Sequence, residues 1–198
     1  LETLFDEPIF VHPRHICHVI FPSSPAVTTP PHQDFHPVRG TTDTWTVWTP
    51  LGECDADLGG LAIARGSHHH GFLDDATVRL GKQLNAATEW CWNPFRCGDV
   101  LMFHSLTIHQ GCNNVTADRL RLATSARYQP VRQPVDADAL EPHMHWIEWE
   151  ELYAQWQSDD PLRYYWQSLD LDVQPAYHNA AALARGRRRE RDRCGESE

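Results

Sequence analysis

Three side chains of this sequence have the types and spacing of a metal-ligand set. The triplet His32-Gln33-Asp34 separates an imidazole and a carboxylate by one residue, and in a strand both would point to the same face. A third ligand is offered by His109, which ends the strand-like run VLMFHSLTIH. Two histidines and one carboxylate form the facial triad of non-haem Fe(II) oxygenases, which leaves coordination positions open on one side of the metal.

An arginine in the next strand-like run suits the cosubstrate of such a site. Two open positions can take the carboxylate and keto oxygens of a 2-oxo acid, and the third can take O₂. The far carboxylate then requires a buried cation, and the planar fork of an arginine pairs with both of its oxygens. Arg121 follows His109 in the next run, but Arg119 and Arg127 share its face by alternation. Periodicity alone does not choose between Arg119 and Arg121.

The elements that must position these residues are predicted to be short strands. Proline and glycine interrupt the first two-thirds of the chain often, and the intervening runs are rich in threonine, valine and aromatic residues. These runs cover residues 15–21, 41–48, 60–64, 100–108 and 120–128. Many short strands separated by turns are typical of a sandwich or a barrel. Residues 75–90 are predicted to form a helical insertion.

The chain changes character after Pro134. Trp146, Trp149, Tyr153 and Trp156 recur at spacings of three and four, which predicts an amphipathic helix with an aromatic stripe. A second short helix is predicted near 162–169. We therefore expect a core domain at 1–134, a helical extension packed on it at 135–184, and a charged, disordered tail at 185–198.

Composition excludes some function classes. The formal charge is −10, and an acidic protein repels nucleic acid and anionic membranes. We see neither a signal peptide nor an apolar run of the roughly 20 residues that a membrane span requires. Six cysteines occur without a CxxC pair, which favours reduced thiols and a cytoplasmic location. The chain begins at Leu1, so the sequence leaves room for a preceding segment.

Several motifs in order resemble a known family over residues 21–130. The sequence runs from the His32–Asp34 triplet through WTPLG at 48–52, GGL at 59–61, GSH at 66–68 and GDVLMFH at 98–104 to His109, Arg121 and the pair at 127–128. In this order the motifs resemble the phytanoyl-CoA dioxygenase-like oxygenases that use Fe(II), O₂ and 2-oxoglutarate.

The resemblance implies a fold, cofactors and roles. The fold would be mainly β, a double-stranded β-helix of jelly-roll or cupin type with peripheral helices. His32, Asp34 and His109 would hold the iron. Arg121 precedes Tyr128 by seven residues, the spacing of the cosubstrate arginine in such proteins. Thr46 would add a hydrogen bond to 2-oxoglutarate.

The predicted reaction is hydroxylation of a small molecule or secondary metabolite, with release of succinate and CO₂. Gln33, Phe35, Trp45 and His18 are the candidate substrate contacts. Two alternatives stay open: a metal-dependent isomerase or hydrolase on a cupin-like barrel, and a non-catalytic jelly-roll binding module. The sequence predicts no oligomeric state.

Overall fold

The computed structural model describes residues 1–22, 28–73 and 88–177, and its strands are short, as predicted. In chain order they are β1 (Ile9–Val11), β2 (Ile16–Ile20), β3 (Trp45–Pro50), β4 (Leu61–Ala64), β5 (Trp90–Cys91), β6 (Leu101–His104), β7 (His109–Gly111), β8 (Arg121–Pro130), β9 (Val135–Asp136) and β10 (Val173–Gln174). The described helices are single turns, namely α1 (Glu2–Phe5), α2 (Phe35–Val38) and α3 (Trp149–Leu152). The prediction of a mainly β chain is confirmed.

Two antiparallel sheets form the body of the fold. The larger one has the order β1-β8-β3-β6, with β2 also paired to β8. The smaller one has the order β5-β4-β7. Their inner faces meet in a core cluster of Trp48, Phe103 and Ala123 from the larger sheet, Leu61 from the smaller sheet and Cys54 from the loop before β4. Burial of such apolar side chains between sheets is the main stabilising contribution in this architecture.

The prediction of a single strand at 100–108 is wrong. The chain forms two strands in different sheets here, since β6 ends at His104 and β7 begins at His109. A turn separates them, in which the Thr107 amide donates to the His104 carbonyl at 2.8 Å. The break carries the chain from one sheet to the other and so delivers His109 to the wall opposite β3 and β8.

The C-terminal segment forms separate turns instead of the amphipathic helix predicted from its aromatic spacing. Besides α3 it contains the 3-10 turns His143–His145 and Tyr165–Ser168. The rings still pack together: Trp149 lies 5.5 Å from Tyr153 and 5.0 Å from Trp166 between centroids. Aromatic residues are only moderate helix formers, and their mutual packing accounts for the spacing without a continuous helix.

Two predictions concern residues that the structure describes only in part or not at all. Most of the helical insertion at 75–90 lies outside the described residues, although its last residue, Trp90, belongs to β5. The tail at 185–198 lies wholly outside them. The division into domains stays a prediction. Among the described residues, no helix has the length and apolarity needed to cross a membrane.

Candidate metal and cosubstrate site

The two candidate histidine ligands face each other across a β-bridge. His32 and His109 form an isolated antiparallel bridge, with each amide donating to the other's carbonyl at 3.0 Å. Their rings lie 4.1 Å apart between centroids. Asp34 is the N-cap of α2 and has helical dihedral angles, so the two ligands of the HxD triplet do not lie on a regular strand. The chain turns after His32 and brings the carboxylate back toward both rings.

The donor atoms of these three residues converge. Asp34 Oδ1 lies 3.5 Å from His32 Nε2 and 3.8 Å from His109 Nε2, and the three ligand atoms lie within 4.8 Å of one another. Nδ1 of His32 is 2.9 Å from the Pro30 carbonyl, and Nδ1 of His109 is 3.0 Å from the Thr107 carbonyl. A carbonyl accepts only, so each Nδ1 carries the proton and each Nε2 keeps a lone pair. These residues fit a divalent metal ion.

Burial and neighbouring charges keep His109 and Asp34 in their ligating protonation states. Burial is the main cause that lowers the pKa of His109 to about 3; the neighbouring His32 acts in the same direction, and Asp34 opposes both. His109 is therefore neutral at physiological pH. Burial works against ionisation of Asp34, but Arg127 and the two histidines hold the pKa of this carboxyl well below its usual range. An ionised carboxylate and a neutral imidazole are the forms that bind metals.

The structure distinguishes Arg119 from Arg121, which the alternation of side chains could not do. Arg119 precedes β8, is exposed, and pairs with Asp55 at 2.8 and 3.1 Å. Arg121 begins β8 and is 3% exposed, and its Nε has no hydrogen-bond partner among the described residues. A Cβ added to Gly111 of β7 would lie 3.6 Å from Arg121 Nη2, so the guanidinium reaches the opposite sheet. A buried cation without a carboxylate partner fits an anionic ligand.

Thr46 is buried, and its hydroxyl already donates a hydrogen bond within the protein. Its Oγ1 donates to Asp34 Oδ2 at 2.5 Å. The hydroxyl thus bonds to the candidate metal ligand here, and the hydrogen bond to 2-oxoglutarate that the resemblance implied stays a prediction. β3 presents Thr46 to the interior because alternate residues of the strand are buried.

Two of the four candidate substrate contacts, Trp45 and Gln33, have partners within the protein. Trp45 lies on the opposite face of β3 from Thr46, and its ring packs 5.7 Å from Phe5 and 5.4 Å from His104. Gln33 is 1% exposed. Its amide donates to the carbonyls of Gly71 and Leu106, and its oxygen accepts from the Leu73 amide. Gln33 thus fixes the loop near the site, and both of its amide hydrogens are engaged within the protein.

The other two candidates remain near the site. His18 projects from β2, with Nε2 3.0 Å from Ser125 Oγ. Burial lowers its pKa to about 4, with smaller effects from Arg127 and Arg121, so it is neutral and within reach of the site's charges. Phe35 follows Asp34 and packs edge-on against Phe72, with ring centroids 5.2 Å apart.

Arg127 is the residue whose contact with the site we did not predict. Its Nε and Nη2 donate to Oδ2 and Oδ1 of Asp34 at 3.2 and 3.0 Å. Alternation along β8 did place it on the face of Arg121. The sequence gives no strand register, however, and the contact depends on the pairing of Arg127 with Thr46 across β8 and β3.

Comparison with known proteins gives the same family as the motifs. The model of the phytanoyl-CoA dioxygenase (PhyH) family matches residues 2–123. The chain is 32% identical over 160 residues to 1-deoxypentalenic acid 11-beta-hydroxylase of Streptomyces arenae, covering 71% of this chain and 56% of that protein. It is 28% identical over 159 residues to the enzyme of the same name from Streptomyces exfoliatus, with the same coverage.

Solved structures show the same fold. The non-heme alpha-ketoglutarate-dependent epimerase SnoN from nogalamycin biosynthesis matches with a TM-score of 0.54 and 24% identity, covering 67% of this chain and 53% of that chain. The carbocyclase SnoK from the same biosynthesis matches with a TM-score of 0.55 and 24% identity, covering 67% and 54%. These likenesses show the jelly-roll arrangement of the two sheets.

The match with the relatives is partial in length. The chain spans about half the length of the curated relatives and solved structures it matches. The family model, in contrast, covers well over half of this chain and includes both β-bridge partners, His32 and His109. This chain belongs to the phytanoyl-CoA dioxygenase (PhyH) family.

Proposed function

We propose that this chain carries the metal- and cosubstrate-binding core of an Fe(II)- and 2-oxoglutarate-dependent oxygenase. The observation that carries the proposal is the pairing of two features in one interior. His32, Asp34 and His109 converge on a point, and the buried Arg121 has no carboxylate partner among the described residues. A metal site alone would not need such an arginine.

Each residue has a defined task in this proposal. Nε2 of His32, Nε2 of His109 and one carboxylate oxygen of Asp34 would hold Fe(II). Arg121 would pair with the far carboxylate of 2-oxoglutarate, because its fork offers two parallel donors. When bound, the metal, O₂ and 2-oxoglutarate supply the oxidation of a substrate C–H bond, with release of succinate and CO₂. The protein orients these groups and excludes water between its two sheets.

A small molecule is the proposed substrate class. Two curated relatives are named as hydroxylases of 1-deoxypentalenic acid, which supports hydroxylation of a small or secondary metabolite. His18 and Phe35 are the contacts that we retain for it. The formal charge of −10 disfavours nucleic acid as a partner. A cytoplasmic location remains our prediction from the cysteine pattern.

The two alternatives differ from this proposal at Arg121 and at the metal. An isomerase or hydrolase on the same fold would use the three ligands and leave Arg121 without a task. A binding module would need neither the metal nor 2-oxoglutarate. The tautomers imposed on both histidines by the backbone carbonyls favour a metal centre over the binding module.

Turnover of 2-oxoglutarate tests the proposal. The full chain is reconstituted with Fe(II) under anaerobic conditions, mixed with 2-oxoglutarate and O₂, and assayed for succinate. We expect succinate to form only when all three are present, and Asp34→Ala to reduce it to background. Asp57→Ala removes an exposed carboxylate and should retain the wild-type yield. Succinate release by Asp34→Ala at the wild-type rate would refute the ligand assignment.

A further inference from the structure

The two carboxylate oxygens of Asp34 accept different numbers of hydrogen bonds. Oδ2 accepts from Thr46 Oγ1 at 2.5 Å and from Arg127 Nε at 3.2 Å. Oδ1 accepts from Arg127 Nη2 at 3.0 Å and is the oxygen that faces Nε2 of both histidines. Each oxygen of a carboxylate has about two lone-pair sites. Oδ2 is therefore filled, and Oδ1 keeps one site, on the side of His32 and His109.

The larger sheet sets this arrangement. Thr46 and Arg127 are register partners on β3 and β8, so their side chains leave the sheet next to each other on its inner face. The Arg127 side chain is 12% exposed and the Asp34 side chain 2%. Two donors from one rigid, planar group fix the rotation of a carboxylate, which a single donor cannot do.

We propose that Arg127 is a positioning residue that restricts Asp34 to one metal-binding oxygen. The inference rests on the metal site of the proposed function. With Thr46, the fork of Arg127 fills Oδ2 and directs the remaining site of Oδ1 toward the two histidines. A carboxylate that offers one oxygen occupies one coordination position, so the positions required by a chelating 2-oxo acid and by O₂ stay open.

Arg127 influences a metal in two opposing ways. Its positive charge repels a bound dication, whereas its fork orients the ligand. Substitution Arg127→Lys separates these effects, because lysine keeps the charge and loses the planar fork. Replacing a residue that orients a metal ligand commonly weakens metal affinity about 10- to 100-fold. We therefore expect Arg127→Lys to bind Mn(II) at least about 10-fold more weakly than the wild type.

Mn(II) binding to the full chain provides the test. Free Mn(II) is measured by electron paramagnetic resonance during titration, which needs neither cosubstrate nor turnover. Arg14→Lys is the matched control: Arg14 borders the same cavity as Arg127, but its guanidinium bonds to Asp138 and to the Glu141 carbonyl. We expect Arg14→Lys to keep the wild-type affinity. Circular dichroism verifies that each variant is folded.

A second pair of variants tests the inference without altering Arg127. Thr46→Val removes the hydroxyl donor from Oδ2 and should also weaken Mn(II) binding, whereas Thr46→Ser keeps the donor and should restore it. If Arg127→Lys does not fold, the Mn(II) affinities of these two variants test the inference in its place.

The outcomes distinguish the inference from the function on which it rests. Wild-type affinity in both Arg127→Lys and Thr46→Val would overturn the positioning role and leave the metal site intact. An equal loss in Arg14→Lys and Arg127→Lys would also overturn it, because the effect would then not pass through Asp34. A wild-type chain that binds no Mn(II) would contradict the proposed metal site itself.

Discussion

The ligand set could be predicted from residue types and spacing, but its hydrogen bonds could not. His32, Asp34 and His109 are identifiable because two histidines and a carboxylate in that order match a facial triad. Which oxygen of Asp34 faces the histidines, and which donors hold the other, depends on strand register and on side-chain rotation. The sequence therefore predicted the residues that the structure brings together, and it missed the contact of Arg127.

The choice between Arg119 and Arg121 is also made at the level of single residues. By alternation they were equivalent, and only the resemblance favoured Arg121. Arg119 is exposed and paired with Asp55, whereas Arg121 is buried and lacks a carboxylate partner among the described residues. Substitution of Arg121 should therefore weaken 2-oxoglutarate binding, and substitution of Arg119 should not.

We expect Arg121→Met to weaken 2-oxoglutarate binding by about 100-fold. Loss of one partner of a buried, hydrogen-bonded charge pair costs roughly 2–5 kcal/mol, and each 1.4 kcal/mol is tenfold. The measurement is the dissociation constant of 2-oxoglutarate in the Fe(II)-loaded protein under anaerobic conditions. Arg119→Met is the matched control and should bind as the wild type does. If the two variants lost affinity equally, Arg121 would have no special role in binding the cosubstrate.

Within a strand, the alternation of side chains correctly predicted which residues face the interior, but it did not predict where the strand ends. Alternate residues of β3 face the interior, and the structure buries Thr46 and Trp48 there. The same alternation places Trp45 on the opposite face of β3, where its ring packs against Phe5 and His104. The run from Val100 to Ile108 looked like one strand because apolar residues continue through the turn. Periodicity does not report where a chain changes sheets.

The loop before β4 packs closely on the chain that follows β7, and Gly59 makes this approach feasible. Gly59 has φ +72°, and a Cβ there would lie 2.4 Å from the Asn113 carbonyl oxygen. We expect Gly59→Ala to lower the free energy of unfolding by about 2 kcal/mol or more, from backbone strain and steric overlap. Gly52→Ala is the control, since nothing lies within 4 Å of a Cβ at Gly52.

Urea denaturation of both alanine variants measures this difference. The control should remain within about 0.5 kcal/mol of the wild type. Equal stability of Gly59→Ala and Gly52→Ala would contradict the close packing between the loop and the segment after β7.

At the scale of the whole molecule, the site exists because two sheets face each other. β7 and the bridge at His32 supply one wall, and β3, β2 and β8 supply the other. The short β-prone runs and the resemblance were sufficient to predict a jelly roll. The sequence could not reveal the pairing of Thr46 with Arg127 or the single turns that replace the C-terminal helix. The first depends on strand register between residues far apart in the chain, and the second on the packing of aromatic rings within the C-terminal segment.

The buried His12 makes the stability of the fold depend on pH. Its Nε2 lies 2.8 Å from Gln129 Oε1, and burial lowers its pKa from the ordinary 6.5 to about 4. A histidine that is neutral in the folded state contributes its full stability above the unfolded pKa. This contribution, roughly 3 kcal/mol, is lost as the pH falls from 6.5 through 4.

We therefore expect the free energy of unfolding to fall over this pH range, and to fall less in His12→Gln. Urea denaturation at pH 7 and at pH 4.5 gives the two values for each protein. His18 and His109, whose pKa values are also lowered, contribute to the remaining dependence in both. An identical pH dependence in wild type and His12→Gln would show that His12 is not the neutral buried group described above.

In the proposed function, one interior binds both Fe(II) and 2-oxoglutarate. Anaerobic titration of the metal-free chain, first with Fe(II) and then with 2-oxoglutarate, tests this while the visible spectrum is recorded. Chelation of a 2-oxo acid to Fe(II) gives a weak charge-transfer band, and we predict that this band appears on addition of 2-oxoglutarate. If Fe(II) binds and no band develops, the oxygenase assignment is contradicted and the metal-dependent isomerase or hydrolase becomes the favoured function.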